Sequence, residues 1–113
     1  MHEMALSESV LQILEQSARA QGFSRVRKVW LEVGDLAGVD REAMRFSFGA
    51  VVSGTLADDA ELEFVASQGK AWCMRCADHV EISSRGDACP VCGSYQLQVV
   101  GGDELKVKEL EVE

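Results

Sequence analysis

Cys73-Met74-Arg75-Cys76 and Cys89-Pro90-Val91-Cys92 are two C-x2-C knuckles separated by twelve residues. A knuckle bends the backbone so that both of its sulfurs face one point, and a second knuckle completes a tetrahedron at metal–sulfur distances of about 2.3 Å. Four thiolates satisfy Zn(II) and leave no position open, so the centre predicted at Cys73, Cys76, Cys89 and Cys92 is structural rather than hydrolytic. Iron in a rubredoxin-like site is the main alternative metal, and two redox-active dithiols are the alternative without metal. His79 stands three residues past Cys76. The spacing leaves open whether it is an exposed loop residue, a ligand or a support to one.

The surroundings of the knuckles set the domain organisation. Residues 67–102 hold all four cysteines, the only proline, and Gly69, Gly86, Gly93, Gly101 and Gly102, with few large apolar groups. Such a segment cannot bury enough surface to hold itself together and needs a staple, here a metal. Beyond it, Leu105-Lys106-Val107-Lys108-Glu109-Leu110-Glu111-Val112 alternates with period two, and a phase slip at Lys108-Glu109 predicts a bulge. A lone strand at a chain end is unstable, so this one is expected back in the sheet of the preceding lobe. The cysteine lobe is then an insertion, and the expected domains are 1–66 with 103–113, and 67–102.

The first lobe reads as helix and strand in alternation. Leu6, Val10, Ile13, Leu14 and Ser17 mark one stripe of a helix over about residues 4–20, with Gly22 as its stop. Val29, Leu31 and Val33 alternate with Lys28, Trp30 and Glu32 as a half-buried strand that Gly34-Asp35 breaks. Asp40 is placed to cap a second helix carrying Met44, Phe48, Val51 and Val52 and ending before Gly54. Glu61-Leu62-Glu63-Phe64-Val65 alternates as a further strand.

Composition narrows the function. With 113 residues, 47% hydrophobic and 27% charged, the chain is of ordinary globular make-up, and it has no apolar run long enough to cross a bilayer. Nineteen acidic against eleven basic residues give a net charge of −8, which argues against nucleic acid and anionic membranes and favours proteins, cations or basic surfaces as partners. A Zn(Cys)4 core makes the charge more negative still. Within the cysteine lobe only Lys70, Arg75 and Arg85 are basic, against Asp78, Glu81 and Asp87, so no basic stripe marks a nucleic-acid reader. The opening Met1-His2-Glu3-Met4 has no basic stretch followed by an apolar core, so a cytoplasmic, reducing location is expected, where thiols serve metals more often than disulfides.

Read for chemistry, that opening is either an ordinary solvated terminus or a chelator. The Met1 α-amine, the His2 amide nitrogen and His2 Nδ1 can enclose one cation in fused rings, with the Glu3 amide or carboxylate as a fourth donor. A nitrogen-rich, near-planar set suits Ni(II) or Cu(II) better than Zn(II).

Taken whole, the chain resembles the HypA/HybF family of hydrogenase nickel-incorporation proteins. The resemblance is carried by Met1-His2-Glu3-Met4, Val29-Trp30-Leu31-Glu32-Val33-Gly34, Ala43-Met44-Arg45-Phe46-Ser47-Phe48, Gly54-Thr55-Leu56-Ala57, both cysteine knuckles, Gly93-Ser94 and Gly101-Gly102-Asp103-Glu104-Leu105. It implies Ni(II) as cargo at His2, with Met1 and Glu3 contributing the adjoining donors, and structural Zn(II) at Cys73, Cys76, Cys89 and Cys92. It further implies work with the GTPase HypB and the large-subunit precursor of NiFe hydrogenase, and in some bacteria with urease maturation as well. The expected fold is α+β: two helices packed on a three-stranded sheet, with an inserted zinc-ribbon lobe. A family member often has a hydroxyl or glycine before the histidine that follows the second cysteine, whereas Ala77-Asp78 precede His79 here.

No catalytic constellation competes with metal delivery. Ser7 and Ser9 have no histidine near in sequence beyond His2, and there is no Gly-rich phosphate loop, so no enzymatic activity is expected. The alternative function is a zinc-ribbon adaptor or transcription accessory protein, and a third is a rubredoxin-like electron carrier.

Overall fold

The computed structural model describes residues 3–113. Its elements run α1 (Glu3–Gln21), β1 (Val26–Gly34), α2 (Arg41–Val52), β2 (Glu61–Ser67), β3 (Gly69–Cys73), β4 (Asp78–Ile82), β5 (Leu97–Gly101) and β6 (Leu105–Val112). They form two three-stranded sheets, ordered β2-β1-β6 and β4-β3-β5, with α1 packed on α2. The α+β architecture and the return of the C-terminal strand to the first sheet follow the expectation. Hydrogen bonds from Gly34 N to Glu104 O and from Glu113 N to Arg25 O, at opposite ends of the β1–β6 pair, set those two strands antiparallel. Burial along β6 keeps the predicted slip: Leu105, Val107 and Leu110 are half-buried, while Lys108 and Glu109 are both exposed.

The chain packs as two compact units, one of residues 1–31, 39–65 and 106–113, the other of residues 32–38 and 66–105. In the first, Val10 and Leu14 of α1, Val29 and Leu31 of β1, Met44, Phe48 and Val52 of α2, and Leu62 of β2 are buried. The α1 stripe is rotated from the expected one. Ile13 is 43% exposed, and the fully buried Ser7 takes part in the inner face instead, donating its hydroxyl to Met44 Sδ at 3.6 Å. A buried hydroxyl is tolerated where it finds an acceptor, even a weak thioether. Asp40 caps α2 as expected, its Oδ1 accepting from Ala43 N at 3.1 Å.

In the second unit the core is small: Leu36, Ala71, Val80 and Ile82 pack with Cys73 and Cys89. Leu36 explains why residues 32–38, expected wholly with the first lobe, pack here instead. Its side chain lies where a Cβ on Gly69 would collide with it, and its backbone amide donates to Gly102 O at 2.8 Å. Gly34 and Gly102 are forced by close approach. A Cβ on Gly34 would overlap the Gly102 carbonyl, and one on Gly102 would overlap Gln68 and Gly69 backbone.

Candidate metal centre

β3 and β4 form a hairpin in which Cys73 stands opposite Asp78, and β3 also pairs antiparallel with β5, placing Cys73 opposite Leu97. The hairpin turn is the first knuckle. Ala77 N donates to Cys73 O at 2.8 Å, and Ala77 takes a left-handed φ of 52°. The second knuckle repeats the device: Gly93 N donates to Cys89 O at 2.9 Å, with φ 76°. One backbone turn used twice brings two pairs of sulfurs to one point, and the alanine adopts a conformation that costs an L-residue roughly 1 kcal/mol.

The four Sγ atoms lie within 4.8 Å of one another. Cys73 and Cys92 approach to 3.6 Å and Cys76 and Cys89 to 3.9 Å. Ligands about 2.3 Å from a tetrahedral metal are roughly 3.8 Å apart, so these spacings fit four thiolates around one ion. They are far from a disulfide, which needs sulfurs about 2.05 Å apart. Cys76 N and Val91 N each point at a knuckle sulfur, reaching Cys73 Sγ and Cys89 Sγ at 3.4 Å. Amide donors spread the negative charge that thiolates bring.

The thiols are not equivalent. Cys76 is pushed up to about 12, chiefly by its hydrogen bond with the Cys92 sulfur, then by burial and by Cys73 and Cys89. Cys89 falls to about 6, chiefly through the Cys92 backbone amide and also that of Val91, against the opposing effect of burial. Four sulfurs this close cannot all ionise unaided; a divalent cation would supply the compensating charge, and the donor set fits zinc.

Among the described residues the four cysteines are the one such donor cluster. His79 does not join it. It is an exposed residue of β4, not of a loop, opposite Trp72 in register, and its ring meets the indole edge-on at 5.1 Å between centroids. Of the predicted nickel donors, Met1 and His2 lie outside the described residues. Glu3 opens α1, and its Oε2 accepts from Asp40 N at 3.3 Å. Local sequence marks Asp40 only as a helix cap. Nothing in a 37-residue separation signals that it would also sit beside Glu3.

No described helix is long and apolar enough to cross a membrane. Residues 1–112 match the family model described as hydrogenase/urease nickel incorporation, metallochaperone, hypA. The hydrogenase maturation factor HypA of Alkalilimnicola ehrlichii is 60% identical over 113 residues, and that of Azotobacter chroococcum 58%, both alignments spanning the whole of each chain. The fold is that of the solution structure of the Ni metallochaperone HypA from Helicobacter pylori, at TM-score 0.74 and 19% identity over 99% of this chain and 97% of that one. A sulfur cluster shaped for one closed metal site, on a chain matched almost end to end, places this protein in the HypA family of nickel-incorporation metallochaperones for hydrogenase maturation, which are not enzymes.

Proposed function

We propose that this protein carries one Ni(II) at its N-terminus and delivers it to the large-subunit precursor of NiFe hydrogenase, while a separate Zn(II) at Cys73, Cys76, Cys89 and Cys92 holds the second unit together. The carrying observation is the match over residues 1–112, which includes the chelating opening Met1-His2-Glu3. The cargo ligands are the Met1 amine, the His2 amide and Nδ1, and Glu3. Cargo held by one end of the chain exchanges readily, whereas a closed tetrathiolate does not, so the two metals divide into one that is passed on and one that stays.

The work is cytoplasmic and involves the GTPase HypB, with urease accessory proteins as a further class of client. The unit of residues 1–31, 39–65 and 106–113 is the nickel-binding one, and the unit of residues 32–38 and 66–105 is the zinc one.

The test is nickel titration by calorimetry of the wild type, His2→Ala and a form extended before Met1. The wild type takes up one nickel beside one zinc. His2→Ala loses the imidazole and the extension turns the amine into an amide, so both lose stoichiometric nickel while zinc content and circular dichroism stay unchanged. Wild-type binding weakens as the solution is acidified, because protons compete for the same lone pairs. Three forms binding one nickel with equal affinity would sink the proposed cargo site.

A further inference from the structure

Helix α2 has two unlike sides. Met44, Phe48 and Val52 fill the core, while Glu42, Phe46, Gly49, Ala50 and Ser53 share the opposite side at helical spacing and are all exposed. Phe46 is 78% exposed in the middle of a regular helix. Three residues on, Gly49 weakens the helix relative to alanine, yet a Cβ there would meet nothing within 4 Å. Packing inside this protein therefore asks neither for an aromatic ring at 46 nor for a glycine at 49.

Charges of both signs border this face, and the basic ones are engaged elsewhere. Arg41 and Arg45 turn away to lie over the Phe64 ring, at 5.6 and 4.9 Å from its centroid, and Arg45 also donates to the Leu62 carbonyl. The last turn of α2 carries no basic residue. At its other end stand Glu42, Asp40 and Glu3, the last two joined by the Asp40 N to Glu3 Oε2 hydrogen bond.

We infer that the Phe46 face of α2 docks the protein that receives the nickel, through an apolar pocket on that protein rimmed by lysine or arginine. The inference rests on the nickel-delivery reading. Phe46 is the anchor, Gly49 and Ala50 let the partner's backbone come close, and the three carboxylates meet the basic rim. Docking here holds the receiver beside Glu3, the residue bonded to His2. A second copy of this chain is a poorer occupant, since it would bring the same carboxylates against one another.

Nickel-loaded protein is titrated with purified hydrogenase large-subunit precursor, using wild type, Phe46→Ala, Gly49→Ala and, as a control, Tyr95→Ala, an aromatic 77% exposed on the other unit. Phe46→Ala raises the dissociation constant at least about tenfold with nickel, zinc and melting temperature unchanged. Gly49→Ala raises the melting temperature and still weakens the complex, a combination that a purely structural role does not produce. Tyr95→Ala binds as the wild type does. If Phe46→Ala and Gly49→Ala both bind within about twofold of wild type, or if Phe46→Ala instead abolishes a dimer seen by sedimentation, the inference is overturned. A wild type that binds nickel but not the precursor also overturns it and leaves the cargo site standing; a wild type that takes up no nickel overturns the delivery reading first.

Discussion

The first unit buries Leu14, Leu31, Met44 and Phe48 to 2% exposure or less, drawn from two helices and a strand. The second buries nothing larger than Leu36 and Ile82, and two of its six buried core residues are knuckle cysteines. Hydrocarbon holds one region and four sulfurs hold the other. With zinc held as proposed, folding free energy in the second would be chiefly that of metal binding, which for tetrahedral zinc in small domains is of the order of 10 kcal/mol or more. On the proposed function, a protein that handles one metal as cargo would depend on another as structure, and the two must not exchange. A closed thiolate shell and a nitrogen-rich chelate would secure this by ligand type.

The contrast is broken most severely at a sulfur. Cys73→Ala removes a ligand that is also fully buried, and it should abolish zinc binding and unfold residues 66–105 while most helicity survives, since both helices lie in the other unit. Zinc analysis with far-ultraviolet circular dichroism checks this, and full zinc occupancy in the mutant would contradict the tetrathiolate assignment. The converse cut is Phe48→Ala. It should cost about 3–5 kcal/mol of the first unit's stability by denaturant unfolding, with zinc retained. A smaller effect sharpens the boundary. Asp40→Ala removes the α2 cap and should cost about 1 kcal/mol, and Asp40→Asn should restore most of it because an amide oxygen can still accept from Ala43 N.

The elements readable from the chain were those whose signal is local. The alternation Val29, Leu31, Val33, the Asp40 cap and the paired knuckles each announce themselves within a few residues, and each stands where periodicity or spacing puts it. What escaped depends on partners distant in sequence. Hydropathy ranks Ile13 above Ser7, yet Ser7 is inside because Met44, 37 residues on, offers its hydroxyl an acceptor. Leu36 reads as part of a turn until β3 and β4 provide a core for it. Spacing leaves the role of His79 open, but a strand alternates its side chains, and its register with Trp72 sends it away from the sulfurs.

The glycine crossing has a consequence for the history and engineering of the chain. Gly102 lies against the Gln68 and Gly69 backbone, so the stretch between them leaves and rejoins the rest of the chain at neighbouring points. Its two ends are close enough to be bridged by a short turn at little loop-closure cost. A segment with adjoining ends can be gained, lost or exchanged as a cassette without re-threading the strands on either side. Because β1 lies between β2 and β6, replacing residues 69–101 by a short linker would carry the chain from β2 past the end of β1 into β6, leaving a protein without the four-cysteine cluster.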